Sequence, residues 1–248
     1  MTTLRSLLAC LVLAAAAYAA NANEDNGGWA PLKNVTPGEN PTAAPSDAIV
    51  LFDGTDFAQW TGGDKWTIEE GEAVVGKSWL VTKRSFGDCQ IHLEWSAPSP
   101  AEPYDGAKRG NSGVHLMKLY EFQIMDAHDN VTAPHRSAGS MYKQVPPAVN
   151  AVRPPGEWNV CDLFWTAPEF DEQGELAKPG YLTAVLNGVL ILNHAEVQGK
   201  TSHKEAPIYK AHEARRPFSL QNHSSPVRFR NIWARDFEFP ERVTPSEG

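Results

Sequence analysis

Between Asn111 and Asp126 the chain reads NSGVHLMKLYEFQIMD, with polar side chains capable of proton transfer on alternate positions. His115, Glu121 and Gln123 share one parity, while Val114, Leu116, Tyr120, Phe122 and Ile124 share the other, as strands with one face in a core require. For both apolar sets to face one core, Leu116 must pair with Tyr120 around a loop of Met117 to Leu119, because a slip of one residue would expose one set. That register sets His115 opposite Glu121, where imidazole and carboxylate could share a hydrogen bond or a proton, with Gln123 on the same face. Asp126 joins them only if a β-bulge adds one residue after Gln123.

Each of these residues also has a reading without catalysis. His115 fits a structural histidine bonded across a hairpin, Glu121 and Gln123 fit a solvated sheet face, and Asp126 fits the first residue of a turn. Further along, Lys143 fits a solvated surface charge. Arg228 and Arg230 share a parity opposite Val227 and Phe229, so one face there is basic and one arginine should pair with a carboxylate.

The elements around the hairpin follow the same period. From Ile49 onward short alternating runs are separated by turn residues, and almost no stretch has helical period. Strands are predicted at 49–52, 66–69, 73–75, 80–82, 89–95, 113–117, 120–125, 158–166, 181–186, 189–194, 218–221 and 227–237. Asn187-Gly188 is the clearest hairpin signal, since both residues accept the left-handed backbone of a type I′ turn. So many strands in about two hundred residues predict an all-β fold, a two-sheet jelly-roll sandwich. The strand-poor segments 98–109, 127–137 and 144–155 are expected to wall a site at one end.

The start of the chain reads as a secretory signal: Arg5, an apolar run from Leu7 to Ala20, and small residues near Ala22. The expected organisation is a signal peptide over 1–22, a disordered leader over 23–47, a β-sandwich domain over 48–240 and a tail over 241–248. A secreted or periplasmic protein is therefore expected, with no transmembrane segment in the mature chain. The net charge of −8 argues against a nucleic-acid partner. No signal for an oligomeric state is present. Cys89 and Cys161 remain after signal removal and are either a disulfide or two buried thiols.

Seven motifs then occur in one order: LFDGTDFAQW from Leu51, NSGVHL, YEFQIMD, AGSMYKQVPP from Ala138, PPGEWN from Pro154, LNGV, and SLQNHSSPVRFRNIW from Ser219. Together they resemble the 3-keto-disaccharide hydrolase domain family over about residues 48 to 240. The resemblance implies a sandwich of the concanavalin A-like lectin/glucanase type. It also implies cleavage of 3-keto-glycosides or 3-keto-disaccharides, by hydrolysis or by a lyase and hydratase sequence. Two departures stand out: Asn222-His223-Ser224-Ser225 replaces the usual Asp-His-Gly, and Cys161 stands where an aromatic is expected.

On that resemblance the catalytic candidates are Glu121, His115, Asp126 and Lys143, and the substrate-binding candidates are Asn111, Gln123, Tyr142, Trp158, Gln221, His223 and Arg230. A 3-keto sugar has an acidified C2 proton, so the reaction needs a base, an enolate stabiliser and a leaving-group acid. Glu121 or His115 would be the base, Lys143 or Arg230 would face the enolate oxygen, and Asp126 or Tyr142 would protonate the leaving group. Trp158, alone among the tryptophans, is expected at the cleft. The spacing Glu121-x-Gln123-x-x-Asp126 is also similar to the E-x-D-x-x-E signature of laminarinase-type glucanases. There two carboxylates about 5 to 5.5 Å apart support a retaining mechanism. A conventional retaining β-glucanase is thus one alternative, and a non-catalytic lectin-like module another.

The partner implied is an oxidised glycoside or disaccharide. No cofactor is required. The histidines at 128, 135, 203, 212 and 223 lack H-E-x-x-H or H-x-x-x-H spacing, which argues against zinc, while Asp126 and Asp129 leave room for an oxygen-ligated divalent cation.

Overall fold

The computed structural model describes residues 29–100 and 106–242, so the proposed signal peptide lies outside the described residues. Thr36–Phe237 is one compact unit. The described residues flanking it form a second, small unit, in which the Ala30 N–H donates to the Glu241 carbonyl at 2.9 Å.

The architecture of the large unit is all-β. Among the described residues fifteen strands are present: β1 Ile49–Phe52, β2 Trp60–Thr61, β3 Thr67–Glu69, β4 Glu72–Val74, β5 Leu80–Thr82, β6 Cys89–Ser96, β7 Ser112–Leu116, β8 Tyr120–Ile124, β9 Asn159–Thr166, β10 Glu169–Phe170, β11 Leu176–Lys178, β12 Tyr181–Leu186, β13 Val189–Glu196, β14 Ser219–Leu220 and β15 Arg228–Asp236. All twelve predicted strands form, with ends moved by one or two residues. The unpredicted β2, β10 and β11 have two or three residues each, too few to show a period.

Two antiparallel sheets carry the core, as expected for a jelly-roll sandwich. The larger has the order β13-β12-β9-β6-β15-β4-β3 with β1 also on β15, and the smaller has the order β2-β5-β14-β7-β8. Alternation supplies the interior: Ile91, Leu93 and Trp95 of β6, Leu163 and Trp165 of β9, and Phe229 of β15 form one cluster with Leu80, Val114, Leu116, Phe122, Ile124 and Leu220 of the smaller sheet. The Asn187-Gly188 turn forms with φ of 53° and 79°, as its residue types require.

Three details bear on the sequence expectations. The Thr42 carbonyl accepts bonds from Asn231 Nδ2 and Trp233 Nε1, and Asp47 pairs with Arg235, so part of the segment read as a leader is held on the larger sheet. Cys89 and Cys161 are buried free thiols. Cys89 pairs across from Trp165 and Cys161 from Leu93, so four residues of strand separate the cysteines, roughly 13 Å and beyond disulfide reach.

Candidate functional site

The hairpin of β7 and β8 folds in the predicted register. Leu116 faces Tyr120, His115 faces Glu121 and Gly113 faces Gln123, and Met117 and Lys118 turn the chain with φ of 53° and 61°. The register continues without a shift to Ser112 and Ile124, so the bulge that would have aligned Asp126 is absent. Beyond β8 the Asp126 carboxylate binds Arg109, with Nε at 3.0 Å and Nη2 at 2.5 Å, and accepts the His128 N–H at 3.0 Å. Asp126 is buried and held by Arg109, so it is not the free second carboxylate that a glucanase-like pair requires.

The smaller sheet presents its second face outside the core. Register across β5, β14, β7 and β8 puts Val81, Ser219, His115 and Glu121 in one row. Two residues along, the same alternation places Trp79, Gln221, Gly113 and Gln123 in the next row of this face. Trp79 packs on the His115 ring at 4.4 Å between centroids and remains 39% exposed. It is the tryptophan of this face, and sequence reasoning passed over it, although its parity opposite buried Leu80 was the available signal.

Loops cover this face, so His115 and Glu121 are 8% and 7% exposed. The run Ala138 to Gln144 lies along the free edge of β8: Gln123 N–H donates to the Ser140 carbonyl and Tyr142 N–H to the Glu121 carbonyl, each at 2.9 Å. Thr201 Oγ1 accepts the Glu121 N–H at 2.9 Å from a second loop. Tyr142 thereby stands beside Glu121 and also lines a cleft of about 250 Å³ with Lys143, Gln144, Ser202, Lys204 and Pro207. The Tyr142 hydroxyl lies 3.2 Å from His203 Nδ1, and Lys143 Nζ donates to the His203 carbonyl at 2.6 Å.

Electrostatics set the two central groups apart. Burial raises the Glu121 carboxyl to about 7 and lowers the His115 imidazole to about 4. Their closest atoms, His115 Nε2 and Glu121 Oε1, are 3.9 Å apart, too far for a hydrogen bond that would hold both charged. His115 Nε2 is buried without a partner. Near neutral pH this is a neutral imidazole beside a carboxyl poised to take a proton. Burial also raises the Tyr142 hydroxyl, Arg136 opposes it and Glu121 adds to it, so Tyr142 stays protonated.

The remaining candidates divide by location. Gln123 Nε2 donates to the Ser112 and Ile124 carbonyls at 3.0 and 2.7 Å and to Asn111 Oδ1 at 3.3 Å, while Asn111 Nδ2 holds the Ala107 carbonyl. Both amides brace the hairpin from within. Gln221 joins the face, its N–H bonded to the Gly113 carbonyl at 2.9 Å. His223 is exposed in a turn closed by Asn222, and Ser224 takes there the left-handed φ of 65° that glycine would favour.

Arg230 and Trp158 do not belong to this site. Arg230 is on β15 of the larger sheet, binds Glu94 at 2.7 Å and stacks on Trp158 at 4.0 Å, outside the core and on the opposite sheet from Glu121. Arg228 is likewise paired, with Glu69 and Glu72. Parity gave the basic face correctly, but the carboxylates that neutralise it come from β3, β4 and β6, which local sequence does not reveal.

A larger cleft of about 700 Å³ lies elsewhere, with Asp88, Glu169, Phe170, Asp171, His212 and Arg215 in its wall. Its polar groups are largely engaged: Asp88 holds the Ala167 N–H, Glu169 pairs with Lys178, Asp171 closes a turn, Arg215 pairs with Asp236, and His212 meets Tyr120. Such a wall offers little free acid–base chemistry. Among the described residues no group of three or more His, Cys, Asp or Glu could hold a metal ion. Asp126 cannot seed the cation site expected from sequence, because Arg109 already neutralises it.

Comparison with known proteins identifies the family of this chain. A curated 3-keto-disaccharide hydrolase of Bacteroides thetaiotaomicron is 27% identical over 165 residues, covering 48% of this chain and 54% of that protein. The chain therefore matches about half the length of that relative. A crystal structure of a Parabacteroides distasonis protein, described as a candidate glycosyl hydrolase, is 39% identical with a TM-score of 0.81, covering 87% of this chain and 96% of the other. A second such structure from that organism, 24% identical with a TM-score of 0.55 over 77% of this chain and 94% of the other, shares the fold. The model of the 3-keto-alpha-glucoside-1,2-lyase-like domain matches residues 47–235, a span that holds both sheets and every strand of the hairpin face. By that match the chain belongs to the 3-keto-alpha-glucoside-1,2-lyase-like domain family.

Proposed function

We propose that this protein is an exported carbohydrate-active enzyme that cleaves 3-keto-glycosides by removing the C2 proton, eliminating the C1 substituent and hydrating the product. The observation that carries this reading is the largely buried Glu121 carboxyl, raised to about 7 and 3.9 Å from a neutral His115 whose Nε2 has no partner. Glu121 takes the C2 proton, and the C–H electron pair moves toward the C3 carbonyl, giving an enolate. His115, neutral and with Nε2 free of protein partners, donates a hydrogen bond to that oxygen. As the enolate collapses, the C1–O bond breaks and a C1=C2 double bond forms. Tyr142, at the adjacent cleft, gives its proton to the departing oxygen, with Lys143 near it. Water then adds across C1=C2, with hydroxyl to C1 and a proton to C2, so that the net change is hydrolysis.

The absence of a second free carboxylate near Glu121 disfavours a retaining glucanase mechanism, which needs two. A lectin-like site would gain nothing from a carboxyl held near neutrality. Export is supported by the apolar run from Leu7 to Ala20 behind Arg5, and sequencing the N-terminus of the secreted protein tests it.

The test of the chemistry is proton NMR of a 3-keto-glucoside incubated with the enzyme in deuterated water, against an enzyme-free control. Deuterium at C2 of the released 3-keto sugar, formed at the rate of release, is expected. Release without deuterium defeats the elimination route, and binding without release defeats the enzymatic reading altogether.

A further inference from the structure

Gly113 lies in β7 between the two groups that most need a partner. A β-carbon placed there would sit 3.1 Å from Glu121 Oε1 and 3.5 Å from Gln221 Oε1, so both oxygens lean over residue 113, an approach that its lack of a side chain allows. The Gln221 N–H is tied to the Gly113 carbonyl at 2.9 Å, which fixes the backbone of residue 221 on this face. Gln221 Oε1 is buried and accepts no hydrogen bond, and His115 Nε2, on a side chain 8% exposed, is buried and unpartnered nearby in the same sheet face. Orphan polar atoms of this kind are costly unless a ligand answers them. Two acceptor oxygens around one point call for a carbon that carries both an acidic hydrogen and a hydroxyl.

Resting on the reaction proposed above, we propose that Gln221 accepts a hydrogen bond from the C2 hydroxyl of the substrate while Glu121 takes the C2 hydrogen, and that Gly113, having no side chain, lets both oxygens converge on that carbon. The substrate class is then 3-keto sugars with a free C2 hydroxyl. Sugars lacking that hydroxyl leave the amide oxygen buried and unanswered, and those with a bulky C2 acylamino group crowd the Gly113 floor. Gln221 is thus a specificity-determining residue.

The experiment compares kcat/KM for a 3-keto-glucoside and its 2-deoxy analogue in the wild type, in Gln221→Met and in Gly113→Ala, with folding checked by thermal melting. The wild type should prefer the 2-hydroxy sugar by at least about tenfold. Gln221→Met should bring that preference to near unity by losing activity on the 2-hydroxy sugar alone, and Gly113→Ala should lower kcat/KM for both sugars while it melts as a folded protein. A Gln221→Met enzyme that keeps the wild-type preference overturns the assignment, as does a wild type that uses both sugars equally. If the wild type turns over neither, the proposed reaction fails separately. Titration calorimetry of the two sugars then reads the hydroxyl contact by itself, and equal affinities overturn it.

Discussion

His115 Nε2 and Glu121 Oε1 face each other across the hairpin at 3.9 Å, yet burial holds the pair in its neutral forms instead of an ion pair. A closer contact would favour imidazolium and carboxylate and lower the basicity of Glu121. The separation preserves a base that titrates near the pH at which it would work.

Activity should therefore rise with pH through a single ionisation near 7, the value of Glu121, with no contribution from His115, which stays neutral above about 4. Glu121→Gln should lower kcat by about 10²- to 10⁴-fold. Because the folded value of Glu121 lies above its unfolded value, ionisation costs stability as pH rises from about 4.5 to about 7. The same substitution should then raise the melting temperature at pH 8 and change it little at pH 4. Equal shifts at both pH values would contradict a buried, raised carboxyl.

Asp126→Asn should destabilise the fold by roughly 3 kcal/mol, because it leaves Arg109 facing a neutral group in a buried pair. Activity per folded molecule should be retained. Urea unfolding beside active-site titration separates the two effects, and a loss of kcat at full stability would restore Asp126 to the chemistry.

On the larger sheet His92 is buried against Asp162 at 2.9 Å and Glu94 at 4.0 Å. Burial works against its charge, but the hydrogen bond to Asp162 and the nearby Glu94 carboxylate prevail, and its value is raised. A raised histidine stabilises fully below its unfolded value and loses that contribution as pH rises through the folded one. The stability difference between wild type and His92→Gln should thus be largest near pH 5 and shrink above neutrality. Glu94, lowered to about 2 chiefly by its neighbour His92, should keep its contribution above about pH 4.5 and lose it progressively as pH falls toward 2. Denaturant melts from pH 3 to 9 measure both limbs.

Trp79→Ala should reduce kcat/KM, by removing the ring packed on His115, without altering the midpoint of the pH profile near 7. A midpoint that falls by a full unit would mean that Trp79, and not the sheet and its covering loops, supplies most of the burial around Glu121. Rate profiles from pH 5 to 9 decide it.

What the sequence determined by itself was local: the alternation that makes twelve strands, the left-handed Asn187-Gly188 turn, and the register that sets His115 opposite Glu121. These follow from period-two burial and turn chemistry within a few residues of one another. Only the tertiary structure decided which distant strands meet. The passage of β14 between β5 and β7 brought Gln221 and Trp79 onto the hairpin face, and the run through Tyr142 reached Glu121 by docking on the edge of β8. Arg109 claimed Asp126, and Glu94 with Trp158 claimed Arg230. Such pairings depend on sheet order and loop paths, which the two-residue period leaves open, and burial arising from them, not residue type, moved Glu121 and His115 to opposite sides of their ordinary values.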